Sequence, residues 1–163
     1  MKILLLTLAW SFTSISLCFS QDTDVTVARS SKGMFIETEY YGNDISFRLG
    51  PTAATQLIKG MKKAKEWSAI NQQYKKEFRK EIVRFWVMDK STFQFHGYMQ
   101  QFANTAKLIF TGRTDGTSSC LIKIEGSVMV SNFLEFNSYD EMNNFLKILE
   151  GKSAQKEVDS IFK

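Results

Sequence analysis

Between Met34 and Leu49 the chain alternates. Ile36, Thr38 and Tyr40 fall on one side of an extended segment and Glu37 and Glu39 on the other, and after Gly42-Asn43 the residues Ile45, Phe47 and Leu49 alternate with polar neighbours. Period-two patterns rich in β-formers, separated by a pair that adopts positive φ cheaply, predict a hairpin. Upstream, "DVTVAR" predicts a short edge strand and Ser30–Gly33 a turn. At Gly50-Pro51 the period changes. Ala54, Leu57, Ile58, Met61 and Ala64 recur at intervals of three and four, which predicts a helix from 51 to 70 with Pro51 in its first turn, Gly60 off the apolar stripe and Trp67 near its end. Ile70, Tyr74 and Phe78 keep a spacing of four, but Asn71-Gln72-Gln73 reads as a break.

From Phe78 the pattern returns to strands. "EIVRFWVM" is a short apolar run with branched and aromatic residues, followed by a turn at Asp89-Lys90-Ser91. "TFQFHGYMQ" alternates again, so that a strand would set Gln94, His96, Tyr98 and Gln100 on one face and Phe93, Phe95 and Met99 on the other. "KLIFT" and "CLIKIEG" flank an Asp115-Gly116 turn, and "SVMVSNFLEF" supplies one bent strand or two short ones. Ser138-Tyr139-Asp140-Glu141 fits a capping box, after which Met142, Phe145, Leu146 and Leu149 form a helical stripe ended by Gly151. A second short helix carrying Ala154, Val158 and Ile161 would finish the chain. The order predicts one α+β domain: a largely antiparallel sheet of about six to eight strands packed against one long central helix and a C-terminal helix.

The first twenty residues change where that domain is expected to act. Met1-Lys2 precedes an apolar, hydroxyl-diluted stretch and then polar residues, the layout of an export signal and too short to span a bilayer. Cleavage after Ser20 would put the small residues Cys18 and Ser20 at the positions an A-x-A-like site requires. The alternative is a lipoprotein component of an envelope assembly, anchored at Cys18. It would place Leu17 before the cut, where lipoprotein signals carry a small residue. Residues 1–20 are thus read as a cleaved signal and 21–163 as a single domain, exported to a bacterial periplasm or secreted, with no membrane-spanning segment in the mature chain. Cys120 is then the only thiol left, in a strand pattern that predicts a small buried hydrophobe.

Charge matters through its distribution. The whole chain carries a formal +4, yet 59–80 alone holds Lys59, Lys62, Lys63, Lys65, Lys75, Lys76, Arg79 and Lys80 against Glu66 and Glu77, a local +6. Such asymmetry bears on partners. It suggests an anionic surface, an acidic polysaccharide or an envelope protein, and export argues against nucleic acid.

Enzyme motifs are sparse. There is no G-x-S-x-G, P-loop, dinucleotide-binding glycine fingerprint or H-E-x-x-H, and His96 is the sole histidine. No cofactor, metal or catalytic residue is assigned. Glu37 and Glu39 read as the wet face of an antiparallel strand, and a Cys120/His96 dyad lacks a basic neighbour to activate the thiol. The sequence therefore reads as a small exported binding domain whose candidate contact residues are Lys59, Lys62, Lys63, Lys75, Lys76, Arg79 and Lys80, with Gln94, His96 and Tyr98 as a second surface. A small exported hydrolase using that second surface or carboxylates is the alternative.

Overall fold

The computed structural model describes residues 25–30, 33–40, 43–96, 99, 103–125 and 133–151. The proposed signal, Tyr98, Gln100 and the helix expected around 154–161 lie outside these residues. The elements run β1 (Val25–Ser30), β2 (Gly33–Tyr40), β3 (Asn43–Leu49), α1 (Pro51–Tyr74), β4 (Phe78–Val87), α2 (Lys90–His96), β5 (Asn104–Gly112), β6 (Ser118–Glu125), β7 (Phe133–Phe136) and α3 (Tyr139–Leu149). This is an α+β fold. Its strands form two antiparallel meanders, β1-β2-β3 and β4-β5-β6-β7, rather than the single sheet expected. The two sheets meet at Arg48 and Met88, whose backbones exchange hydrogen bonds of 2.8 and 3.0 Å.

One core joins both sheets to the helices. Ile36, Ile45, Phe47 and Leu49 face it from the first sheet, and Phe85, Leu108, Phe110, Ile122 and Leu134 from the second. Leu57, Met61 and Ala64 enter from α1, and Met142, Phe145 and Leu149 from α3. The expected hairpin is present with Tyr40 opposite Asn43, and Glu37 lies on its outer side, 3.4 Å from Lys90. At the other end Ser138 Oγ accepts the Glu141 N–H at 3.1 Å, as the capping box requires. The Glu141 carboxylate takes the N–H of Asn137 instead of that of Ser138, at 2.8 Å.

Three local expectations are corrected. Asn71-Gln72-Gln73 does not break α1, which runs on to Tyr74 and stops at Lys75 in the left-handed region, φ 50°. Gly60 is buried, and a Cβ there would lie 2.7 Å from Val83 Cγ1 and 2.8 Å from Leu108 Cδ2; it belongs to the stripe because it lets α1 lie close on β4 and β5. Residues 90–96 are helical. Asp89 caps them, accepting the Thr92 N–H at 2.8 Å and the Thr92 hydroxyl at 2.6 Å, and local capping outweighs the alternation. Arg48 helps hold this short helix, its guanidinium lying 3.8 Å from the Phe35 ring centre and 4.6 Å from that of Phe93.

Candidate functional site at the end of the long helix

The basic segment divides once it is folded. Lys62 reaches across to α3 and pairs with Glu150 at 2.8 Å, and Lys65 donates to Asn143 Oδ1 at 3.3 Å. These two lysines bind the helices together. Lys59, Lys63, Lys75, Lys76, Arg79 and Lys80 are exposed and pair with no carboxylate among the described residues. Arg79 and Lys80, adjacent on β4, face opposite sides of the sheet, so only Lys80 joins the helix side.

There the two elements meet around Trp67. Its ring stands edge-on to Phe78 and Phe110 at 5.8 and 5.6 Å, which fixes its position against the core. Lys63 Nζ lies 5.0 Å and Lys80 Nζ 5.9 Å from the ring centre, within cation–π range. Along the same flank, Lys63, Trp67, Ile70 and Tyr74 follow at helical intervals of four, three and four. Ile70 and Tyr74 remain 52% and 69% exposed. Lys75 and Lys76 follow directly. The result is an apolar strip edged by ammonium groups.

The helix end itself is held by a residue that sequence reasoning passed over. Asn71 is 2% exposed. Its amide donates to the carbonyls of Arg113 and Thr117, both at 3.0 Å, while its Oδ1 accepts the Lys76 N–H at 3.0 Å. Gly112 leaves room for this, since a Cβ there would stand 2.9 Å from Asn71 Oδ1. The hairpin turn is fixed in its own right. Asp115 Oδ1 accepts the Thr117 N–H and hydroxyl at 2.8 and 2.7 Å, and the Thr117 hydroxyl, then its N–H, hold the carboxyl below its ordinary range.

Of the second candidate surface, Tyr98 lies outside the described residues, the segment that carries Gln94 and His96 is helical rather than extended, and Gln94 is exposed. Cys120 is fully buried, and burial pushes its thiol well above the usual range. Among the described residues no group of three or more His, Cys, Asp and Glu could hold a metal ion, and no helix is long and apolar enough to cross a membrane. Comparison with family models, with curated proteins and with solved structures gives no match for this chain.

Proposed function

We propose that the protein is an exported, non-enzymatic binding domain that docks on an anionic surface through the flank of α1 carrying Lys63, Trp67, Ile70 and Tyr74, together with Lys75, Lys76 and Lys80. The observation that carries this reading is the juxtaposition of unpaired ammonium groups with exposed apolar side chains on one edge. Lysines alone on an outward helix face serve solvation. Here two of them frame a tryptophan, and the two large apolar residues beside them find no cover among the described residues.

An anionic lipid surface satisfies both halves of this strip. Basic residues are attracted to anionic headgroups, each by about 1 kcal/mol, while Ile70 and Tyr74 gain by leaving water at the interface. An acidic polysaccharide satisfies the charges and leaves the apolar pair wet. Replacing Ile70 and Tyr74 together by serine separates the two. Sedimentation with phosphatidylglycerol-containing vesicles should fall several-fold while retention on a sulfated polysaccharide resin stays unchanged. Loss on the resin and none on the vesicles would overturn the lipid assignment. Export rests on the pattern of residues 1–20, and N-terminal analysis of the mature protein, expected to begin at Gln21, tests it.

A further inference from the structure

On the other side of Asn71 from the basic strip lies a cavity of about 290 Å³, bounded by α1 (Ser68, Gln72), the β5–β6 turn (Asp115–Ser118) and the entry to α3 (Asn137–Tyr139). Its hydrogen-bonding groups are largely uncommitted. Ser68 and Ser118, both almost fully buried, share one bond of 2.6 Å between their hydroxyls. Two hydroxyls carry two protons and that bond uses one, so the other has no acceptor among the described residues. The side chains of Gln72 and Asn137 and the Tyr139 hydroxyl have no partner there either. Ser138 accepts the Glu141 N–H and its own proton is unused. Asp115 commits only Oδ1. The cavity thus offers donors and acceptors together, beside one aromatic ring.

Charge narrows the class of ligand. No lysine or arginine is among the lining residues, and the one cation shown beside them is Lys75, whose Cγ would lie 3.4 Å from a Cβ at Gly116. The N-terminus of α3 would attract an anion, but Asp140 and Glu141 in its first turn and Asp115 on the facing wall oppose one. Asp115 is the one carboxylate among the lining residues, too few for a cation. The volume falls at the lower limit of small-molecule pockets. The geometry points to a second binding site, distinct from the basic strip, that takes a neutral polyhydroxylated ligand of about one sugar ring, with the amides of Gln72 and Asn137 and the paired serines reading its hydroxyls and Tyr139 lying against its apolar edge.

Saturation-transfer NMR on the full chain with glucose, galactose, mannose and N-acetylglucosamine, and with glucose 6-phosphate as the charged counterpart, tests this. At least one neutral sugar should receive saturation equally at low and high salt. Gln72→Ala and Asn137→Ala, both at exposed positions, should each weaken it about fivefold with the melting temperature unchanged. Transfer to none of the neutral sugars, transfer indifferent to both substitutions, or stronger binding of the phosphate ester that Gln72→Ala and Asn137→Ala weaken would overturn the proposal. Because the basic strip acts through salt-sensitive attraction and this site does not, failure of one leaves the other standing.

Discussion

Asn71 and Lys75 decide how α1 ends, and each makes a measurable claim. Asn71→Ala would remove three hydrogen bonds at a buried junction, leaving the Lys76 N–H without its acceptor while the carbonyls of Arg113 and Thr117 keep the N–H groups of Gly116 and Arg113. At about 1 kcal/mol for each hydrogen bond, the expected loss in urea unfolding is about 3 kcal/mol, accompanied by faster amide exchange across 113–117. Lys75 occupies a left-handed conformation that costs a side-chain-bearing residue about 1–2 kcal/mol. Lys75→Gly should therefore raise stability by about 1 kcal/mol while removing one charge from the proposed contact. Cys120 gives a pH test. Burial raises its pKa in the folded chain above the unfolded value of about 8.5, so the folded state holds its proton after the unfolded state has released it. Stability from this group is complete below pH of about 8.5 and falls above it, by about 1.4 kcal/mol per unit. Cys120→Ala should flatten that slope, and a thiol reagent should label the native protein only as fast as it unfolds. The burial of Cys120 was legible because its neighbours alternate as a strand. The role of Asn71 was not, because asparagine breaks helices when its side chain competes for nearby backbone, and the sequence does not display the hairpin carbonyls that engage it here.

Elements were legible where their own period was long. The hairpin, the first five turns of α1 and the stripe of α3 each repeat often enough to outweigh a local anomaly. Residues 90–96 did not, since seven residues with phenylalanines two apart satisfy a strand pattern by alternation alone. What settles them is the Asp89 cap and the seat of Phe93 beside Arg48, a contact between segments far apart in the chain. Gly60 likewise has a meaning only against β4 and β5. Gly60→Ala gains about 1 kcal/mol of helix propensity, yet it drives a methyl group into the branched Val83 and the fully buried Leu108. Overpacking costs about 1–3 kcal/mol, so the expected result is net destabilisation of about 1 kcal/mol, read as a lower urea midpoint at unchanged slope. A more stable variant would show that α1 can lift from the sheet without loss.

At the scale of the whole molecule, the local charge of +6 was visible in the sequence, but its division was not. Lys62 and Lys65 are occupied by α3, Arg79 faces away, and Lys63 and Lys80 lie over the ring of Trp67, on the flank that carries Ile70 and Tyr74. The cavity was invisible beforehand because its lining comes from three separate segments whose only local signals were a turn and a capping box. The central claim is that the cations on this flank and the apolar strip act together on an anionic surface. The most direct measurement is a titration of the full chain with phosphatidylglycerol-containing and neutral phosphatidylcholine vesicles, at low and moderate salt, for the wild type and Lys63→Ala/Lys80→Ala. At about 1 kcal/mol for each lysine, the double variant should bind the anionic vesicles about thirtyfold more weakly, and the wild type should lose affinity as salt rises. Equal binding to neutral vesicles, or anionic binding indifferent to both salt and the two lysines, would contradict the account.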